Sequence, residues 1–183
     1  MSIPRLPVHS PAQVAPAAPP TWRDRWRRRR EVARARIEME ETLERDQLQA
    51  LLSAARAYVE TSWIQGAWFA VRTDDGRERL VRGGSALLID DARIVGSCLV
   101  GAIIRAGGGT GAVQEQPVQR ALDAVWHALN APEGVPVQWG PPPMTRMQHV
   151  RDLTRWNDRE AESAAEVASL LLTAERVVMS EAR

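Results

Sequence analysis

Proline placement constrains this chain more than any other feature. Six of its twelve prolines fall within the first 20 residues, and none lies between Thr21 and Glu60. A proline inside a helix removes a hydrogen bond and clashes with the preceding turn, at about 3 kcal/mol or more. Residues 1–20 combine proline with alanine and small polar residues and have little to bury, so they are expected to be a disordered leader, partly in polyproline II form. The proline-free stretch of good helix formers that follows predicts a long helix, with Thr21 able to cap its start.

That helix has two unlike halves. Leu48, Leu51, Leu52, Ala55, Tyr58 and Val59 recur at helical spacing and form an apolar stripe able to face a core. Upstream, Arg23, Arg25, Arg27, Arg28, Arg29, Arg30, Arg34 and Arg36 leave only a thin stripe of Trp22, Trp26, Ala33 and Ile37, and an acidic run follows at Glu38, Glu40, Glu41, Glu44 and Asp46. The organisation expected is a leader over 1–20, an Arg-rich then acidic helical extension over 21–47, and one compact domain over 48–183.

Within the domain, Asp75-Gly76 between Trp68, Phe69 and Val71 on one side and Leu80 and Val81 on the other predicts a short β-hairpin. The apolar run Ile94–Ile104 predicts a core helix beginning after Asp90 or Asp91, carrying Val95, Cys98, Leu99, Ala102, Ile103 and Ala106 on one face and ended by Gly107-Gly108-Gly109. Pro117 suits the first turn of another helix, with Val118, Leu122, Val125, Trp126 and Leu129 as its stripe. Residues 131–144 hold Pro132, Pro136 and Pro141-Pro142-Pro143 and are expected to be loop. Ser163-Ala164-Ala165-Glu166 reads as a capping box opening a last helix, whose buried face is Val167, Leu170, Leu171, Ala174, Val177 and Val178. The fold class is therefore all-α, with four to five helices and one short hairpin.

Composition excludes several classes. The single cysteine, Cys98, rules out an intramolecular disulfide and fits a reducing, cytoplasmic setting. The run Ile94–Ile104 is far short of the roughly 20 residues that span a bilayer, so an integral membrane protein is not expected. His9, His127 and His149 are scattered, and no H-E-x-x-H or C-x-x-C spacing accompanies them, so neither a metal nor a cofactor is expected. All 24 basic residues are arginine, which first suggests a high-GC genome.

Three segments carry a family resemblance. They are Trp63-Ile64-Gln65-Gly66-Ala67, Cys98-Leu99-Val100-Gly101-Ala102-Ile103 and Trp156-Asn157-Asp158, the last running into the capped helix with Glu166-Val167. In order and spacing they resemble a family of small, functionally uncharacterised proteins of high-GC Gram-positive bacteria and their phages, across residues 48–178. The resemblance implies a compact helical domain and brings no activity, substrate or cofactor. Arg159-Glu160-Ala161-Glu162 departs from the proline- and glycine-containing turn of that family, and a proline-rich insert precedes Trp156.

Three sets of residues compete for a functional role. In the first, Trp22, Arg23, Arg25, Trp26, Arg27, Arg28, Arg29, Arg30, Arg34 and Arg36 suit a nucleic acid, because guanidinium groups bind phosphate bidentately and indoles stack on bases. The same segment also suits an acidic protein partner, a second copy paired antiparallel as a homodimer, an anionic membrane surface, or plain solvation. Arginines crowded at a helix N-terminus oppose the macrodipole, so helix stability does not account for them. In the second, Gln65, Cys98, His149 and Asn157 follow the chain order of oxyanion donor, nucleophile, base and orienter in papain-like hydrolases. Against that reading, Cys98 sits on an apolar stripe, where free cysteine behaves as a small hydrophobe. In the third, Trp63, Gln65, Trp156, Asn157 and Asp158 either line a ligand pocket near Cys98 or fix loop geometry. The expected role is a non-enzymatic regulatory or adaptor protein whose Arg-rich segment binds nucleic acid or another polyanion.

Overall fold

The computed structural model describes residues 21–83, 91–132 and 134–180. The expected leader, residues 1–20, lies outside them. The chain divides into two compact units, residues 1–39 and residues 40–183.

Helix α1 spans Trp22–Ser62. In the smaller unit it is a solvated helix: from Thr21 to Met39 every residue whose burial is described is exposed. In the larger unit the expected stripe is buried, with Leu48, Leu51, Leu52, Ala55 and Val59 at 6% exposure or less. Arg56 reaches Glu175 at 3.3 Å, and Glu44 reaches Arg120 at 2.6 Å.

Asp75-Gly76 turns the expected hairpin, β1 (Phe69–Arg72) against β2 (Glu78–Val81), with Gly76 at φ +80°, where a Cβ would be strained. Phe69 pairs with Val81 and Arg72 with Glu78. A third strand was not expected from the sequence. Strand β3 (Ile94–Ser97) pairs antiparallel with the other edge of β1, giving the order β2-β1-β3 with an irregularity between Ala70 and Val71.

That strand corrects the helix expected over Ile94–Ile104. Only Leu99–Ala106 is helical, as α2, and Cys98 is its N-cap rather than an interior residue. The physical reason is that β1 offers an unpaired edge that residues 94–97 complete, a long-range gain that local propensity does not report. Glycine allows the junction to be tight, because a Cβ on Gly101 would lie 2.2 Å from the Trp68 carbonyl oxygen.

Helix α3 (Gln116–Asn130) carries Pro117 in its first turn as expected and packs against both α4 (Pro143–Arg159) and α5 (Ala164–Ser180). Helix α4 is a second correction, since it starts at Pro143, inside the loop expected over 131–144. Pro143 occupies its first turn, where the missing N–H costs nothing. The expected cap at α5 forms in half: Ser163 Oγ accepts from Glu166 N at 3.2 Å, whereas the Glu166 carboxylate accepts from Glu162 N, one residue before the cap, at 2.8 Å. Leu52, Phe69, Leu99, Ile103, Leu122, Leu153 and Leu171 are fully buried and bring α1 to α5 and β1 to one core.

Candidate functional site

The three segments that carry the resemblance meet around one side chain. Asn157, on α4, is completely buried. Its Oδ1 accepts from Trp63 Nε1 at 2.8 Å and from Leu99 N at 3.0 Å. Its Nδ2 donates to the Ile64 carbonyl at 3.2 Å and to Asp158 Oδ1 at 2.8 Å. Leu99 N is one of the N–H groups that open α2 and have no partner within the helix, so a side chain from α4 caps α2. Gln65 Nε2 donates to the carbonyls of Asn157 and Ala161, each at 2.9 Å, and Gly66 N donates to Asp158 Oδ1 at 2.9 Å. Every donor and acceptor of the Asn157 amide is thus used inside the protein. Trp156, expected among the same residues, is half-buried against the core. The segment Trp156–Asp158 lies on a helix rather than in a loop.

Cys98 adjoins this network. Its Sγ accepts from Gly101 N at 3.4 Å, closing the first turn of α2. Burial pushes the thiol up to about 12; the Gly101 N–H opposes that shift and the Asp158 carboxylate adds to it. That shift is opposite to the lowered value by which a nucleophilic cysteine is activated.

His149 is held elsewhere. Its ring stacks on Trp126 with centroids 3.8 Å apart and planes 13° from parallel. Burial lowers its affinity for a proton, outweighing the pull of Asp123 and Asp152, and Arg146 acts in the same direction as burial. His149 Nδ1 stands 3.9 Å from Asp123 Oδ1, beyond hydrogen-bond reach, and has no partner. Of the residues expected as a hydrolase constellation, Gln65, Cys98 and Asn157 therefore come together, while His149 belongs to a separate cluster.

Sequence reasoning missed the centre of that cluster. Asp123 is 2% exposed and accepts from Arg146 Nη2 at 3.0 Å and from Gly140 N at 3.1 Å. Arg120 lies over the Trp139 ring at 5.4 Å. Asp123 and Arg120 on α3 therefore fasten the proline-rich connection to α4. The available signal was an acid, Asp123, inside the apolar stripe Leu122–Trp126.

The arginine segment has the opposite character. Trp22 is 66% exposed and Trp26 is 52% exposed. Arg30 stacks over the Trp26 ring at 3.7 Å and Arg23 over Trp22 at 5.6 Å. Among the described residues, Trp22, Arg23, Trp26, Arg27, Arg30 and Arg34, with the acid Glu31 among them, line a cleft of about 650 Å³. Residues 1–39 hold nine arginines and three acids, whereas residues 40–183 hold fifteen arginines and twenty acids. The near-neutral total thus conceals a basic unit and an acidic one.

A sequence model of a family of unknown function, DUF6197, matches residues 44–177. The chain belongs to this family. The DUF6197 match contains the whole Asn157 network, Cys98 and His149, and it begins downstream of the arginine segment. No curated protein matches the chain, and no solved structure does. Among the described residues, no group of three or more His, Cys, Asp or Glu is placed to hold a metal ion, and no helix is long and apolar enough to cross a membrane.

Proposed function

We propose that this chain is a cytoplasmic, non-enzymatic regulatory or adaptor protein whose helix over Trp22–Arg36 binds nucleic acid. The observation that carries the reading is the cluster of exposed arginines interleaved with two exposed tryptophans, two of the guanidinium groups already resting on indole faces. Arginine gives bidentate contacts to phosphate, and a free indole face is a stacking platform for bases. Arginines four apart, such as Arg23 and Arg27 or Arg25 and Arg29, repel by about 0.2–0.5 kcal/mol per pair. Positive charge in the first turns also opposes the helix dipole. A polyanion relieves both penalties, which a merely solvated helix would retain.

An anionic membrane surface fits less well. Membrane-surface helices bury one broad apolar face, whereas here Trp22, Trp26, Ala33 and Ile37 make one narrow strip and Val32 and Met39 lie roughly a quarter-turn or more away, at about 100° per residue. The test is binding of fluorescent oligonucleotides across a salt series, comparing the full chain with its Arg27→Gln/Arg28→Gln/Arg29→Gln/Arg30→Gln variant. The expected result is an affinity that falls steeply with salt, at a slope of several counterions, and is largely lost in the variant. Equal binding by the two proteins, or none by either at low salt, refutes the proposal.

A further inference from the structure

The arginines of α1 are not spread evenly around the helix. At about 100° per residue, Trp22, Trp26, Ala33 and Ile37 fall within one strip about 60° wide. Arg23, Arg27, Arg30 and Arg34 run along one flank of that strip and Arg25, Arg29 and Arg36 along the other, while Arg28 falls on the opposite face with Asp24 and Glu31. Two rails of positive charge therefore border a narrow apolar and aromatic floor. Every described residue from Thr21 to Leu43 is exposed, so in this structure the helix is open to solvent around its circumference.

This arrangement distinguishes between nucleic-acid forms. A single strand has one phosphate backbone, which one rail satisfies while the indoles stack on its bases; the second rail then has no counterpart. A duplex presents two backbones, one on each wall of a groove. The major groove is about 12 Å wide and an α-helix with its side chains is about 10–12 Å across, so an unpacked helix fits between those walls. From Trp22 to Arg36 the helix runs about 21 Å, the length of about six base pairs.

Resting on the reading above, we infer that the target is duplex nucleic acid of B form, entered through the major groove, with Arg23, Arg27, Arg30 and Arg34 on one wall, Arg25, Arg29 and Arg36 on the other, and the Trp22–Trp26 strip toward the base edges. The deep, narrow major groove of an A-form RNA duplex does not admit such a helix. The indole strip offers apolar contact to thymine methyl groups and only the two ring N–H donors for base edges, so sequence discrimination is weak and phosphate contacts dominate.

The experiment uses the full chain with DNA duplex, RNA duplex and single-stranded DNA of one sequence, across a salt series. Two double variants with matched spacing probe the rails, Arg23→Gln/Arg27→Gln and Arg25→Gln/Arg29→Gln. The expected result is preference for the DNA duplex, and a salt slope reduced by about 1.8 in each double variant, or about 0.9 for each phosphate contact removed. Methyl green, which occupies the major groove, should displace the protein, and the minor-groove ligand netropsin should not. Single-stranded DNA bound as tightly as duplex, a slope that responds to one rail alone, or displacement by netropsin overturns the inference and leaves the nucleic-acid reading standing. Absence of binding to all three nucleic acids overturns both.

Discussion

The Asn157 network and the arginine helix use similar polar chemistry to opposite ends. Around Asn157 each donor meets an acceptor within the protein: Trp63 Nε1, Leu99 N, Gln65 Nε2 and Gly66 N are all satisfied by groups on or beside α4. Between Trp22 and Arg36 every residue whose burial is described is exposed, and the guanidinium groups of Arg23 and Arg30 lie over the two indoles. A buried amide with every hydrogen bond made is a device for fixing one conformation, and it leaves nothing with which to grip a ligand. Exposed like charges on a helix stabilise nothing by themselves, so their presence points outward. The residues around Asn157 lie inside the DUF6197 match and hold the domain together, and the proposed binding segment lies outside it.

The sharpest way to break this contrast is to remove its centre. Asn157→Ala strands Trp63 Nε1 and Leu99 N without an acceptor and leaves a void, so unfolding by denaturant should show a loss of about 3 kcal/mol or more. A stability loss below about 0.5 kcal/mol would show the network to be incidental. Gly101→Ala should cost about 1–3 kcal/mol by the same measurement, because the new Cβ must push back the Trp68 carbonyl against which α2 is set.

His149 tests the domain by pH. Burial holds its folded-state proton affinity below the unfolded value of about 6.5. The unfolded chain therefore binds the extra proton, and the contribution is present above that value and lost as pH falls through it toward the lower folded value. The slope from this one group is at most about 1.4 kcal/mol per pH unit. Comparing unfolding free energies from pH 7.5 to pH 5, the His149→Gln variant should have a flatter profile than the parent chain; parallel profiles would remove His149 from the account. At the small end, Arg27→Gln with Arg28→Gln should change thermal stability by less than about 0.5 kcal/mol, since both side chains are exposed. A large destabilisation would mean that the arginines have a structural task.

Much of the fold was legible where local chemistry decides it. Asp75-Gly76 sets the hairpin, Pro117 opens α3, and Ser163 with Glu166 caps α5. Helix α4 was not legible for a definite reason: its buried positions are His149, Leu153 and Asn157, spaced four apart, and only one of the three is apolar. A helix that buries a histidine and an asparagine leaves no hydrophobic stripe to read. The run Ile94–Ile104 failed in the opposite way, because a continuously apolar stretch carries no period to separate β3 from α2. The motif residues around position 157 could be singled out as a set, but the choice between pocket and internal fastening depends on contacts across some 60–95 residues of chain, which spacing does not encode.

Hydrogen exchange on the full chain, with and without saturating DNA duplex, tests the contrast most directly because it reads both regions in one experiment. The expected result is new backbone protection over residues 22–36, with residues 63–66 and 98–101 and the stretch around 157 already protected and unchanged. New protection at Trp63–Gly66 and Asn157–Ala161, with residues 22–36 still exchanging freely, would contradict it and move the binding site into the family domain.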